Sequence, residues 1–321
     1  MSVSLEEILS SLRVIALPMR TKFRGITTRE TALIKGPSGW GEFAPFLEYD
    51  AKESAPWLSS AIEAAYEAPP QPRRTSIPIN GTIPATDAKD EIESLVASYP
   101  GAKVFKVKVG TTLTSDLVRI ARVREFAPNA RIRIDVNGSW SVNDAIFNIR
   151  TIYGEVTGQA LEYVEQPVAT LDELRELKER LLVDVKIAGD EVIRKAADPF
   201  SINLDSAVDV VMLKVAPLGG IKRSMEIAAR HGLPVVVSSA LESAIGITHG
   251  LRLAASLPKL DYACGLATGA LFAGDIAHHE VKDGHINLTS VEPEALERFE
   301  VDKERLEWWR ARIRATWEAM Q

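Results

Sequence analysis

The chain is poor in cysteine and histidine. Cys264 is the single cysteine among 321 residues, so no disulfide can form within the chain, and a reducing compartment is expected. Cys264 lies in the apolar segment DYACGL, where we expect it to fill space in the core rather than act as a nucleophile. The five histidines stand in no metal-ligand spacing, which argues against a zinc site.

Long apolar runs and basic clusters are also missing. No apolar stretch approaches the ~20 residues that a membrane-spanning helix needs. The first residues carry two glutamates instead of the basic residues that open a signal peptide. The net charge is −6 and no basic stripe is present, so nothing favours binding to nucleic acid. These absences predict a cytoplasmic protein that binds neither membranes nor nucleic acid.

The sequence does have the composition and length of a well-packed globular protein. Apolar residues make up 46% and charged residues 26%, and 321 residues suit one large α/β domain with a smaller companion. The first 75 residues contain strand-like runs and one helical run, and they end in a proline-rich, basic linker at residues 68–74. The Trp-rich tail at residues 283–321 is expected to pack back onto this N-terminal part.

Residues 76–282 alternate between short β-rich runs and amphipathic helical runs about eight times. Such alternation predicts parallel strands joined by helical crossovers, and eight units favour a closed (β/α)8 TIM-type barrel. The last β-rich run, LDYACGL, is the least clear. A doubly wound open sheet is the alternative, but its GxGxxG phosphate fingerprint is absent at a first βα turn.

The run KVFKVKVG at residues 103–110 carries two lysines in a strand-like pattern. Because side chains alternate along a strand, Lys106 and Lys108 share one face while Phe105 and Val107 share the other. Further charges follow at the ends of later strands, each about one βα repeat after the last: Asp135, Glu165, Asp190 and Lys214. The repeat predicts that these side chains meet at the carboxyl end of the barrel, where such barrels keep their active sites.

Three carboxylates that converge in this way repel one another unless a cation lies between them. Oxygen ligands without His or Cys suit Mg²⁺, with Mn²⁺ as a substitute. A divalent cation acidifies the proton α to a carboxylate that it chelates. A lysine beside a second ammonium has a lowered pKa and can then act as a base. The pair Lys106 and Lys108 therefore predicts proton abstraction from a carboxylate substrate.

Simpler explanations exist for each residue taken singly. A lysine at a strand end is commonly a snorkelling surface group. Asp135 before Asn-Gly could form a turn, Asp190 could cap a helix, and Glu165 could form a lone ion pair. The shared position across five strands is what favours one site over separate structural roles.

This set of motifs resembles the enolase superfamily, in particular its muconate-lactonising-type branch. The resemblance rests on the KxK pair, the Asp–x–Asn of Asp135 and Asn137, the Glu-Gln-Pro at Glu165, the Asp-Glu of Asp190 and Glu191, and the later Lys214. It covers essentially the whole chain. It implies a modified (β/α)8 barrel at residues 76–282, with an N-terminal α+β capping domain formed by residues 1–75 and completed by residues 283–321.

Within that branch, several segments resemble the o-succinylbenzoate synthases of actinobacteria: FRGITTRE, GEFAPFLEYD, VVVSSALESAIGI and LDYACGLATGALFAGDI. That resemblance implies a Mg²⁺-dependent syn dehydration of 2-succinyl-6-hydroxy-2,4-cyclohexadiene-1-carboxylate to 2-succinylbenzoate, in menaquinone synthesis. The other candidates in the branch are N-succinylamino acid racemase, dipeptide epimerase and muconate cycloisomerase. The racemase and the epimerase remain open, because the same residues would serve them. A barrel that binds a carboxylate ligand without turnover is the non-enzymatic alternative.

The resemblance also implies individual roles. Lys108 would be the base, Lys106 would keep it neutral, and Lys214 would stabilise the developing charge from across the ring. Metal ligands would be Asp135, Glu165 and Asp190, with Asn137 and Glu191 behind them. Substrate contacts are expected from Arg24, Phe23, Ser238 and Ser239. Arg24 could instead be a solvated loop charge, the two serines could cap a helix before Leu241, and Gly219-Gly220 is expected to make a tight turn rather than a phosphate cradle.

Overall fold

The computed structural model describes residues 3–156 and 160–321 of the chain. The strands of these residues are β1 (Arg13–Phe23), β2 (Ile26–Gly36), β3 (Gly39–Phe43), β4 (Ser76–Pro78), β5 (Gly81–Ile83), β6 (Val104–Lys108), β7 (Arg131–Asp135), β8 (Leu161–Glu165), β9 (Lys186–Gly189), β10 (Val210–Lys214), β11 (Val235–Ser238), β12 (Val281–Lys282) and β13 (His285–Asn287). The α-helices are α1 (Leu5–Ser10), α2 (Ala51–Tyr66), α3 (Lys89–Ala97), α4 (Leu113–Phe126), α5 (Val142–Glu155), α6 (Leu171–Arg180), α7 (Glu191–Arg194), α8 (Ile221–His231), α9 (Ala244–Ser256) and α10 (Lys303–Ala319).

Strands β5 to β11 form one parallel sheet in chain order, each hydrogen-bonded to the next. The sheet is closed by two isolated parallel bridges, from Cys264 to Ile79 and from Gly265 to Ser238. The predicted barrel is therefore confirmed, with its eighth strand reduced to a two-residue bridge. Cys264 is fully buried in this bridge, as a core residue would be.

The first β-rich run of the barrel region, residues 76–83, is two strands rather than one. Its first half, β4, pairs antiparallel with β13, and only β5 joins the barrel. Asn80 lies between them, and its side chain donates to the Gly81 carbonyl at 2.8 Å and accepts from Arg133 at 2.9 Å. This buried polar turn at the barrel floor interrupts the strand.

The barrel helices begin where short polar side chains cap them. Thr112, Ser141 and Thr170 each accept a hydrogen bond from a first-turn amide of α4, α5 and α6. Each helix then buries one apolar stripe against the sheet, as with Leu174 and Leu177 of α6. Because every crossover runs from one strand to a parallel neighbour, the carboxyl ends of all seven strands open on the same side.

The N-terminal part forms an antiparallel sheet, β1–β2–β3, against which α2 packs. The tail helix α10 packs on α2 in turn. Trp309 of α10 is fully buried, lies edge-on to Phe43 at a centroid distance of 5.9 Å, and donates to Glu30 at 2.8 Å. The tail therefore completes the hydrophobic core of the N-terminal part.

The first part of the tail pairs outside the N-terminal sheet, because β13 forms hydrogen bonds with β4, the strand that leads into the barrel. We propose the division into a capping domain (1–75 and 283–321) and a barrel (76–282), supported by the packing of α10 on α2. Among the described residues, no helix combines the length and apolar character that crossing a bilayer requires.

Candidate active site

The charged strand ends lie at one level of the barrel. Lys108 pairs in register with Asp135, and Asp135 with Glu165, across β6, β7 and β8. Lys214 pairs in the same way with Ser238, across β10 and β11. The convergence that the repeat spacing predicts is present, because neighbouring parallel strands pair in register up to their carboxyl ends.

The two lysines of β6 hold two of the carboxylates. Lys106 Nζ lies 3.0 Å from Asp135 Oδ2 and 3.2 Å from both oxygens of Glu165. Lys108 Nζ lies 2.7 Å from the same Asp135 oxygen and also donates to Asn137. Asp135 and Glu165 are essentially inaccessible to solvent, so these ion pairs act in a low dielectric.

The third carboxylate is held from the other side of the barrel. Asp190, at the end of β9, accepts from Lys214, and its second oxygen lies 3.2 Å from Arg194 Nε. That second oxygen has no hydrogen-bond partner among the described residues. The Asp190 amide donates to the side chain of Gln166 at 3.0 Å, which fixes the backbone at this strand end. Asp190 precedes α7 but makes no side-chain capping bond, so the helix-cap explanation is wrong.

Burial and neighbouring charge shift the ionisation of these groups in different directions. Burial lowers the pKa of Lys108, and the Lys106 ammonium lowers it further against the opposing effect of Asp135. For Lys106 burial is outweighed by Asp135 and Glu165, which raise its pKa well above the usual value. Burial and then the Asp135 carboxylate raise the pKa of Glu165 to about 7. Of the two lysines, Lys108 therefore has the lower pKa and loses its proton more readily.

Asp135, Glu165 and Asp190 have the donor chemistry of a Mg²⁺ site. They are three buried carboxylates, close enough that the charges of the other two raise the pKa of Glu165, and Asp190 keeps one oxygen unbonded. Within residues 3–156 and 160–321, however, no three His, Cys, Asp or Glu side chains are spaced as a metal site. The carboxylates are turned towards lysine ammonium groups, which balance their charge. The three carboxylates are chemically suitable ligands for Mg²⁺, and their role as metal ligands stays a prediction.

Asn137 and Glu191 lie next to these groups, and their supporting role stays a prediction. Asn137 donates to Glu191 at 3.1 Å, and its backbone amide donates to Asp135 at 3.2 Å. Glu191 also accepts from Arg194 at 2.7 Å. The chain of contacts links Lys108 through Asn137 and Glu191 to Arg194, so one side of the site is tied to the other.

A cavity of about 400 Å³ opens above the charged groups. The three lysines, Asp135 and Asn137 line it, while Glu165 and Asp190 lie behind Lys106 and Lys214. A cavity of this size accommodates a small organic acid. Its walls come from both the barrel and the N-terminal sheet.

The predicted substrate contacts from the cap reach this cavity. Phe23 and Arg24, at the tip of the β1–β2 hairpin, line it. The Arg24 guanidinium lies 4.0 Å from the centroid of the Phe46 ring and donates to the Tyr49 hydroxyl at 3.2 Å. Arg24 is thus held over the cavity mouth, although about two-fifths of its side chain stays exposed.

Ser238 and Ser239 also line the cavity, at the end of β11. Ser239 shares a hydrogen bond of 2.9 Å with the hydroxyl of Thr268. The alternative in which these serines cap a helix before Leu241 is wrong, because α9 begins at Ala244 and its N-cap is Ser243. Neither serine caps a helix, and both lie at the strand end beside the cavity.

One residue of the site escaped the sequence analysis, and the role of a second was not foreseen. Arg194 lines the cavity and pairs with Asp190 and Glu191; its position four residues after Asp190 at the start of a helix was the available signal. Gln166, the middle residue of the Glu-Gln-Pro motif, orients the Asp190 amide from a left-handed backbone conformation (φ +40°), a role that the motif alone does not indicate.

Comparison with known proteins identifies the family. Residues 14–65 match the family of enolase N-terminal domain-like sequences, and residues 87–293 match that of enolase C-terminal domain-like sequences. The chain belongs to the enolase superfamily. The protein is therefore an enzyme that acts on a small molecule. Members of this superfamily generally use a divalent metal ion.

Individual relatives divide into near and distant ones. The o-succinylbenzoate synthases of Mycobacterium tuberculosis and Mycobacterium ulcerans are each 49% identical, over 97% of this chain and 95% of theirs. The muconate lactonizing enzyme of Pseudomonas fluorescens is 20% identical, with a TM-score of 0.70 over 93% of this chain and 97% of its own. The N-succinyl Arg/Lys racemase of Bacillus cereus is also 20% identical, with a TM-score of 0.71 over 92% and 96%. The last two similarities concern the fold alone.

Proposed function

We propose that the chain is an o-succinylbenzoate synthase, which dehydrates 2-succinyl-6-hydroxy-2,4-cyclohexadiene-1-carboxylate to 2-succinylbenzoate in menaquinone synthesis. The observation that carries the proposal is the 49% identity to synthases over almost the whole of both chains, together with an intact set of lysines and carboxylates at the strand ends. We also propose a cytoplasmic location, consistent with the single, reduced and buried cysteine.

In this proposal Asp135, Glu165 and Asp190 hold Mg²⁺, for which Mn²⁺ can substitute. The metal, when bound, supplies positive charge that stabilises negative charge on the substrate carboxylate. Asn137 and Glu191 support the ligands from behind, through the contacts with Asp135 and Arg194 described above.

Lys108 removes the proton from the ring carbon that bears the carboxylate. The carbon–oxygen bond to the hydroxyl group then breaks on the same face, and protonated Lys108 returns the proton to the departing hydroxide, so that water leaves and the ring becomes aromatic. Lys106 holds Asp135 and Glu165 in place, and its positive charge lowers the pKa of Lys108. The ammonium group of Lys214, on the opposite wall, is a cation that stabilises the electron-rich ring.

The cap and the seventh strand would hold the rest of the substrate. Arg24, which lines the cavity, would meet the succinyl carboxylate, and Phe23, which also lines it, would cover the site. Ser238 and Ser239 offer hydroxyl groups at the end of β11. A substrate with two carboxylates matches a cavity whose cations lie both on its floor and at its mouth.

Turnover with two classes of substrate tests the proposal. Purified protein with Mg²⁺ is expected to remove the ultraviolet absorption of the cyclohexadiene acid. N-succinylamino acids and dipeptides are assayed in parallel by exchange of their α-proton in deuterium oxide. Turnover confined to that second panel would replace the proposal with a racemase or epimerase, in which Lys108 and Lys214 act from opposite faces.

A further inference from the structure

The loop between β11 and α9 is held by residues of the capping domain. Glu42, on β3, accepts hydrogen bonds from the Ser243 amide at 3.0 Å and the Gly246 amide at 2.8 Å, and also from the Ser243 hydroxyl. Glu42 is 5% exposed. Two of the amides at the N-terminus of α9 are thus satisfied by a carboxylate from another part of the fold, while the Ala244 amide donates to Asp275 and the Ile245 amide to the Ser243 hydroxyl.

A second cap carboxylate does the same for α8. The N-cap of this helix is Gly220, which has no side chain to offer, and Glu63 of α2 accepts from the amides of Ile221 and Lys222 instead. Gly219 and Gly220 have φ of +91° and +114°, so they form the tight turn that was expected. The helix terminus where a phosphate could have bound is filled by Glu63.

Two glycines make room for these carboxylates. A Cβ atom at Gly220 would lie 2.7 Å from the carboxylate atoms of Glu63. A Cβ atom at Gly246 would lie 2.9 Å from Glu42 Oε2. Both distances are shorter than real Cβ contacts, so a larger residue at Gly220 would displace Glu63. At Gly246 it would displace both Glu42 and Glu242, whose Cβ would lie 2.6 Å away.

A cap arginine holds the carbonyl side of the same loop. Arg29 of β2, 2% exposed, donates through Nε to the Leu241 carbonyl at 3.0 Å and through a terminal nitrogen to Ala44 and, at 3.4 Å, to Ala240. Leu241 has φ of +67°, a conformation that costs energy for a branched side chain and persists only where neighbours impose it.

We propose that Glu42, Glu63 and Arg29 are positioning residues, by which the capping domain docks on the barrel and sets the loops that contact substrate. The loop after β10 contributes Pro217 to the cavity, and the loop after β11 contributes residues 238–241. Glu42, Glu63 and Arg29 are not among the described residues that line the cavity. They therefore act on the cavity through the two loops. Only the kinetic part of this inference rests on the proposed function.

The chemistry of a helix N-terminus makes the interaction specific for a carboxylate. The first-turn amides are donors only, and they carry about half a unit of positive charge. Glu42→Gln keeps the shape of the side chain but replaces one acceptor by an NH₂ donor that faces these amides. Glu30→Gln is the matched control, because Glu30 is a cap carboxylate that pairs with Arg305 and Trp309, away from the barrel loops.

The test measures KM and kcat with the cyclohexadiene acid, and amide hydrogen exchange in peptides covering residues 239–248, in both variants. We expect Glu42→Gln to raise KM about tenfold with a smaller change in kcat, because a charge-assisted hydrogen bond to the loop is lost while the lysines stay in place. Exchange in this segment should accelerate. Glu30→Gln should leave KM and this exchange as in the wild type.

Exchange separates failure of this inference from failure of the proposed function. Wild-type protein that does not dehydrate the acid would refute the function, and exchange in the Glu42→Gln and Glu63→Gln variants would still decide the docking role. Glu63→Gln, read at residues 215–223, also serves if Glu42→Gln fails to fold. The inference would be overturned if a folded variant exchanged like the wild type, at the start of α9 for Glu42→Gln or of α8 for Glu63→Gln. It would also be overturned if KM stayed unchanged in Glu42→Gln while the wild type turned over the acid.

Discussion

Replacing Lys108 by alanine is expected to lower kcat for dehydration by about 10²- to 10⁴-fold while the protein stays folded. The loss is large because Lys108 is proposed both to take the proton and to return it to the leaving hydroxide. The fold should persist because Asp135, the carboxylate that Lys108 contacts, remains paired with Lys106 at 3.0 Å. Steady-state kinetics with the cyclohexadiene acid and a thermal melt measure the two effects.

The matched control for this variant is Lys186→Ala. Lys186 begins β9 at the opposite end of the barrel, where it donates to the Tyr262 hydroxyl at 2.9 Å. Removing it should leave kcat close to the wild-type value. If Lys108→Ala dehydrates the acid at the wild-type rate, Lys108 is not the base.

The second large effect is expected from Asp190→Asn. The substitution keeps the shape of the side chain but removes one of three negative charges proposed to hold the metal. A metal that stabilises developing charge contributes several kcal/mol, so kcat/KM should fall by about 10³-fold or more. Raising the Mg²⁺ concentration should recover part of the activity, because weakened metal binding is the cause.

Asp209→Asn provides the matched control. Asp209 lies just before β10, at the amino-terminal end of the barrel strands, where it pairs with Lys178 and accepts from the Ile187 amide at 2.8 Å. Its substitution should affect stability more than turnover. Equal losses of kcat/KM in the two variants, with no response to Mg²⁺, would contradict a metal role for Asp190.

Much of the site follows from repetition along the sequence. A charge at the end of each of several strands, spaced by one βα repeat, predicts a ring of side chains, and Lys108, Asp135 and Glu165 do pair in register. The period of the hydrophobic pattern also predicts the barrel helices. Local rules suffice here because each repeat solves the same packing problem in the same way.

The contacts between the cap and the barrel could not be predicted in this way. Glu42 and Ser243 are 201 residues apart in the chain, and neither sequence context indicates that a strand carboxylate will cap a distant helix. The eighth strand is similarly hidden. Its pairing depends on the closure of the whole barrel, which leaves only Cys264 and Gly265 to bridge the gap.

The most direct test of the account is the binding of Mn²⁺, followed by electron paramagnetic resonance of the free ion. The central claim is that Asp135, Glu165 and Asp190 together bind one divalent cation. We expect one Mn²⁺ per wild-type chain, competition by Mg²⁺, and affinity lower by about 100-fold or more in Glu165→Gln. Absence of binding to the wild type, or equal affinity in Glu165→Gln, would contradict the claim.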